Sequence, residues 1–262
     1  MKILFWNTNK NININPYILS LVQDYNIDIL ILAEYEADKS ELNMLFKYDC
    51  QSLEEANTSG CKRINIWSDY IGIESGIQEN FYSIQILLEK YVLCCVHLPS
   101  KLHNGNAERL EIVRQAMYDI EETEEKIHSK KTIIIGDFNE MPYEESCLNA
   151  NGFHGLPALG MNDRPTRTVN GKDYRKFYNP MWNLMGDFSY PPGTFYLNDA
   201  KLKSPVWYML DQVIISGDIR PLFIRDSLKI ITTCSYGSLI NEHKHPNRNI
   251  SDHFPIMCEI RE

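Results

Sequence analysis

The chain has 262 residues, of which 44% are hydrophobic and 23% charged, and a formal net charge of -9. That length supports one large core and a single domain spanning 1–262. The acidic balance argues against a general nucleic-acid-coating role, though it leaves room for an enzyme whose ligands are themselves acidic. No apolar run is long enough for a membrane helix, and the scattered cysteines, without a Cys-x-x-Cys pair, read as free thiols of a reducing, cytoplasmic setting rather than a zinc site.

Residues 2–7 read as a first strand rather than a signal peptide. Asn15-Pro16 then opens a helix, with Asn15 as its cap and Pro16 in the first turn. Residues 28–32 form a continuous apolar strand, as expected of one buried on both faces, and it ends at Glu34. Short strands follow around 64–67, 71–73, 81–88 and 91–96, the last ending at His97. Leu110, Val113, Met117, Ile120 and Ile127 mark a helix over 105–128. Its acidic side, Glu121, Glu122, Glu124 and Glu125, reads as solvated.

The run Thr132-Ile133-Ile134-Ile135 ends in Gly136-Asp137-Phe138-Asn139. Residues i and i+2 of a strand share a face, so Asp137 and Asn139 can address one ligand together. A short helix is expected around 144–149, an irregular stretch over 154–198, a strand over 206–216, another near 228–232 and a last one over 254–260. This order predicts two sheets with helices outside them.

Four strand ends carry hard oxygen or imidazole groups: Glu34, Asp137, Asp211 and the pair Asp252-His253. Any one of them alone is a strand-exit carboxylate meeting water, and Glu36 competes with Glu34. Asp211 lies within an apolar strand, where an unpaired carboxylate costs several kcal/mol. Orienting a histidine would supply its partner, and a salt bridge to an arginine would serve as well. Nucleotide-cradling glycine loops and a Gly-x-Ser-x-Gly elbow are absent from the sequence, so hydrolysis would need metal-activated water.

Taken in order, Trp6-Asn7, 28–34, Val96-His97, Gly136-Asp137-Phe138-Asn139, Leu210-Asp211 and Ser251-Asp252-His253 resemble the endonuclease/exonuclease/phosphatase superfamily. The resemblance implies a deoxyribonuclease I-like, four-layered α/β sandwich with two mainly antiparallel sheets packed face to face. It implies Mg²⁺ or Mn²⁺ on Glu34, with Asn7 and Asp252 close to it. Asp137 and Asn139 would align the attacking water and the phosphate, His97 and His253 would contact phosphate oxygens, and Asp211 would orient His253. Either Asp137 or His253 could be the base, and one metal or two remains open.

The implied activity is a phosphoric ester hydrolase acting on phosphodiester bonds, with nucleic acid the expected substrate and a small phosphorylated metabolite or nucleotide the alternative. No obligate protein partner is evident. Basic and aromatic residues interleave in the irregular stretch. Arg164, Arg167, Arg175, Tyr178 and Trp182 are its candidate substrate contacts, with an edge-plugging loop as the equal alternative. Asn179-Pro180-Met181-Trp182 and Gly193-Thr194-Phe195-Tyr196 resemble bacterial superfamily members without an assigned substrate. His243-Lys244-His245 with Arg248 would overhang the site.

Overall fold

The computed structural model describes residues 1–49, 53–70, 73–101, 104–158, 164–199 and 206–262. Two large sheets organise the chain. The first holds six strands in the order Phe223–Ile230, Ile256–Ile260, Lys2–Asn7, Ile29–Ala33, Ile64–Ser68, Glu54–Glu55. The second holds seven in the order Glu74–Glu79, Tyr82–Leu87, Tyr91–His97, Lys131–Asp137, Asp211–Ser216, Phe177–Tyr178, Gly155–Leu156. Each sheet is antiparallel apart from a few parallel pairs, notably Lys2–Asn7 beside Ile29–Ala33 and Tyr91–His97 beside Lys131–Asp137.

The continuous apolar runs follow from burial on both faces. Ile133 and Ile135 point between the sheets, packing with Phe5, Ile31, Leu93, Cys95 and Val213. Ile134 points the other way, into a layer with Val113, Ile120, Phe138 and Phe153 under the helix Asn106–Lys126. In the first sheet Leu4, Trp6, Leu30 and Leu32 face the helices Asn15–Tyr25 and Lys39–Asp49 through Leu21, Leu42 and Phe46. The layers are therefore helix, sheet, sheet, helix, as the resemblance implied.

Gly136 shows why the second sheet tolerates no side chain at one point. Its φ is +153°, and a Cβ built there would sit 1.9 Å from the Val96 carbonyl oxygen of the neighbouring strand. Gly136→Ala is expected to destabilise the fold by about 3 kcal/mol, because the two strands must separate locally to admit the methyl. Urea unfolding by circular dichroism measures it.

Several elements differ from the sequence reading. Asn15 is the first helical residue, with Ile14 in the cap position. Its side chain instead donates to the Asp38 carbonyl and Glu41 and accepts from the Tyr35 hydroxyl, tying two helices together. The strand expected over 206–216 is broken at 209–210. There Thr194 Oγ1 accepts the Leu210 and Asp211 N–H groups, and Trp207–Tyr208 pairs with Phe195–Tyr196 instead. Glu124 is buried rather than solvated, its carboxylate taken by Thr132 and Arg175, while Glu121, Glu122 and Glu125 are exposed. Short strands interrupt the stretch called irregular. Of the strand expected at 71–73, residues 71 and 72 lie outside the described residues.

Candidate active site

The register of the strands assembles the site. Asn7 is paired with Ala33, which places Asn7 beside Glu34 at one rim of the first sheet. His97 is opposite Asp137, and Asp137 is opposite Asp211, across three adjacent strands of the second. Facing of the two sheets closes the gap. The Asn7 amide nitrogen lies 3.0 Å from Asp137 Oδ2 and 3.4 Å from Glu34 Oε1. His97 Nε2 is 3.5 Å from Glu34 Oε1 and 3.8 Å from Asp137 Oδ2.

Backbone geometry aims the two acidic ends. Glu34 and Asn139 both have φ of +49°, a left-handed conformation uncommon for residues with side chains. Each is held there. Thr8 Oγ1 and the Lys10 N–H both donate to the Glu34 carbonyl at 2.9 Å. Asp137 Oδ1 accepts the Asn139 N–H at 2.8 Å, and the Asn139 amide donates to the Leu98 carbonyl at 2.9 Å. Glu36, the competitor, is exposed beside Lys10, whereas Glu34 contacts Asn7 and His97.

Asp211 and His253 form the second half. His253 Nδ1 is 2.8 Å from Asp211 Oδ2, and Asp211 is fully buried. The partner is therefore the histidine, and the salt bridge to an arginine is not what the strand carries. Burial opposes charge on the imidazole, but the charge and hydrogen bond of Asp211, with Asp137 and Asp252 behind them, lift its pKa to about 10. Burial likewise pushes the Asp211 carboxyl up, against the pull of His253. The pair shares one proton, and with three carboxylates around the ring that proton sits on His253. Ser251 fastens this half to the first sheet: its Oγ donates to the Asn7 carbonyl at 2.7 Å and accepts the His253 N–H at 3.1 Å.

Among the described residues, no Lys or Arg pairs with Glu34, Asp137, Asp211 or Asp252. An acidic cluster with only two imidazoles to balance it suits a cation. Ligand atoms of Asp137, Asp211 and His253 lie within 4.8 Å of one another. Asp211 is fully buried, with Oδ2 on His253 and Oδ1 without a hydrogen-bond partner, whereas Glu34, whose side chain is 28% exposed, is the more open and with Asp137 offers the better cradle for a hydrated ion. Asn7 lies in the cluster as a hydrogen-bonding group. Its oxygen accepts the Asn9 N–H, and its nitrogen faces the carboxylates, so it enters the cluster as a donor. Asp252 is half-buried, and its charge reaches the His253 ring.

The substrate candidates separate. Arg175 is 13% exposed and paired with buried Glu124, and it donates to the Lys130 carbonyl. Tyr178 is opposite Ile215 and packs between the sheets. Both lie at the end of the second sheet away from Asp137, along a seven-residue strand spanning about 20 Å. Arg164 and Arg167 are exposed on or beside the hairpin Thr166–Val169 and Lys172–Arg175, which springs from that far end. These four are not brought to the cluster. Trp182 meets Tyr143 edge to face at 6.3 Å, on the segment just after the Asp137–Asn139 turn. His245 stacks on Tyr196 at 3.5 Å and Arg248 donates to the Tyr196 carbonyl, next to Phe195, whose ring is 4.9 Å from that of His253. Arg175→Ala is expected to cost about 3 kcal/mol by leaving Glu124 buried and unpaired, with the turnover per folded molecule unchanged; thermal melting and rate assays read the two separately.

Sequence reasoning missed Arg109. It is fully buried on the helix Asn106–Lys126, pairs with Glu140 at 3.0 Å and donates to the Phe138 carbonyl at 2.9 Å. Arginine among apolar helical positions carries no signal of this by itself; the buried Glu140 just past the Asp137–Asn139 turn is the only hint.

No family model matches the sequence, and no curated protein matches it significantly. Solved structures match along its full length. A 3′ phosphatase, NExo, from Neisseria, bound to product DNA hairpin, covers 100% of both chains with TM-score 0.58 and 15% identity. An AP endonuclease from Archaeoglobus fulgidus covers 99% of each with TM-score 0.58 and 13% identity. A humanized D. rerio TDP2 carrying 14 mutations covers 100% of this chain and 99% of its own, with TM-score 0.59 and 17% identity. The shared property at these identities is architecture, and the chain has the deoxyribonuclease I-like fold.

Proposed function

We propose that the whole chain is one catalytic domain, a divalent-metal-dependent phosphoesterase that hydrolyses phosphodiester bonds of nucleic acid. The observation that carries this is the cluster of Asn7, Glu34, His97, Asp137, Asp211 and His253 at one rim, acidic and without a Lys or Arg partner among the described residues. The neighbours of the same fold include a phosphatase bound to product DNA hairpin and an AP endonuclease, which supports nucleic acid as the substrate class.

Glu34 and Asp137, with Asp252, would hold Mg²⁺ or Mn²⁺. When bound, the cation neutralises charge on the phosphoryl oxygens and lowers the pKa of its water. His253, protonated, donates to a phosphoryl oxygen where negative charge develops. That leaves proton acceptance from the attacking water to Asp137. Asn7 and the Asn139 N–H hold the two Asp137 oxygens and so fix the direction in which it accepts. His97 Nε2 faces the same space between Glu34 and Asp137 and contacts a second oxygen. Trp182 with Tyr143 offers an aromatic edge beside this centre. Six described cysteines are free and buried, and no described helix is long and apolar enough to cross a membrane; both fit the cytoplasmic placement we propose.

The test is a hydrolysis panel with purified protein: single- and double-stranded DNA, RNA, an inositol phosphate and a generic phosphodiester, each with Mg²⁺, with Mn²⁺ and with chelator. Asp137→Ala is the control. Metal-dependent cleavage of a nucleic acid, lost in the variant, is the expected result. Cleavage of small phosphates alone, which the net charge of -9 would accommodate, would replace nucleic acid with a metabolite.

A further inference from the structure

Behind the catalytic rim lies a second polar group that none of the chemistry above uses. Gln212 follows Asp211 directly, so the two side chains leave opposite faces of the strand Asp211–Ser216. Asp211 points to the rim. Gln212 points back into the helix-covered side and is fully buried. There its amide nitrogen donates to the Glu140 carbonyl at 2.6 Å and to the Met209 carbonyl at 3.1 Å, with Cys147 Sγ at 3.7 Å a weaker third acceptor. A carboxamide has two N–H hydrogens, and here each one goes to a different loop. Glu140 ends the turn that carries Asp137 and Asn139. Met209 begins the break that delivers Asp211.

The orientation of this amide is determined, not free. Fully buried Asn179 donates to Gln212 Oε1 at 2.7 Å, which forces the Gln212 nitrogen toward the two carbonyls. Asn179 is fixed in turn, because its own oxygen accepts the Met181 N–H at 3.0 Å. Strand pairing sets Asp211 opposite Asp137; beyond that last pair, the turn after Asp137 and the break before Asp211 are joined otherwise by the Phe138 N–H to the Leu210 carbonyl at 2.8 Å and by the Met209 N–H against Met141 Sδ at 3.1 Å. The Arg109 guanidinium holds the Phe138 carbonyl from the helix side but contacts nothing of the Asp211 loop.

We propose that Gln212 is a positioning residue: its carboxamide, set by Asn179, bridges the Asp137–Asn139 turn to the Asp211 strand and so fixes the distance between the water-aligning half of the site and the Asp211–His253 half. It touches no substrate and acts through two backbone carbonyls. An in-line displacement needs both halves at once, one on the attacking water and one on the phosphoryl oxygen, so a small slip between them reduces turnover more than binding. A residue that merely filled the core would show the reverse pattern, a lower melting temperature with turnover intact.

This inference rests on the phosphoesterase reading for its kinetic arm and on geometry for its spectroscopic arm. The experiment compares the full-length wild type with Gln212→Met, which keeps the volume and removes both donors. A second variant, Asn179→Ser, keeps the Gln212 donors and frees their orientation. For each we would measure kcat, KM, Mg²⁺ affinity by calorimetry and the His253 Nδ1–H resonance by NMR. The expected result for Gln212→Met is a fall in kcat of about 30-fold with KM and Mg²⁺ affinity within about threefold, as outer supporting hydrogen bonds commonly give, and a displaced or broadened His253 resonance. Asn179→Ser should move the same quantities in the same direction by less. Folded Gln212→Met with unchanged kcat and an unchanged resonance overturns the proposal. If Gln212→Met does not fold, Asn179→Ser decides by the same criteria. If the wild type hydrolyses nothing, the phosphoesterase reading has failed on its own, and the resonance alone still accepts or rejects the bridge.

Discussion

Glu34→Gln is expected to lower Mg²⁺-dependent turnover by about 10³-fold or more, with the fold intact. The substitution keeps the size of the side chain and removes one negative charge from the cluster. A carboxamide is a far poorer ligand for Mg²⁺ than a carboxylate, and the several kcal/mol by which a cation stabilises the charge on the transferring phosphoryl would be lost with it. Stability should hold or rise slightly, because Glu34 is only partly buried and shares the Asn7 amide with the Asp137 carboxylate. Calorimetric titration with Mg²⁺ and Mn²⁺, beside single-turnover cleavage, separates weak binding from weak chemistry. Unchanged turnover with unchanged metal affinity would remove Glu34 from the site and move the cation to the Asp137, Asp211 and His253 group.

Asp211→Asn is expected to cost roughly 10³- to 10⁴-fold in kcat. The sign follows from the environment of His253. Burial alone pushes an imidazole pKa down; the Asp211 charge is the chief reason that this one stands at about 10. Without that charge the desolvation acts with less opposition, and the ring loses its proton near neutral pH. The variant should therefore keep part of its activity under acidic conditions and lose it as pH rises through neutrality, whereas the wild-type ring stays charged across that window. A pH–rate profile together with NMR titration of the ring checks this. A flat, wild-type-like profile would mean that His253 does not deliver a proton or a charge to the reaction.

How much of this was visible in the sequence varies with the kind of interaction. Two strand ends were, because an apolar run stopping at a carboxylate is a local pattern: Asp137 closes one strand and Glu34 follows another directly, whereas Asp211 opens its strand rather than ending it. The order of elements predicted two sheets with helices outside, the resemblance implied the four layers, and runs such as Ile133-Ile134-Ile135 serve two cores in turn. What local pattern does not record is pairing over distance. Arg175 and Glu124 are 51 residues apart and read separately, one as a substrate contact and the other as a solvated charge. Their mutual burial removed one from the substrate surface and the other from the solvated face. The break at 209–210 was hidden for the same reason, since the residue that takes those N–H groups, Thr194, lies in a distant loop. Which end of the Asn7 amide meets the carboxylates depends on the Asn9 N–H, a matter of turn geometry.

The placement of the site across the seam between two sheets bears on how the molecule comes into being. Asn7 and Asp137 meet across 130 residues, and the Trp6 indole meets the His253 carbonyl across 247. Contacts of such sequence separation close late, because the chain entropy they remove is returned only when the rest of the framework is in place. The second sheet can acquire its own pairing before then, whereas the first must itself pair Lys2–Asn7 with Ile256–Ile260 from the far end of the sequence, and neither alone carries a working centre. In refolding from denaturant, circular dichroism should recover first, core fluorescence next and hydrolysis last, so that the reaction itself serves as a clock for the final docking of the two halves.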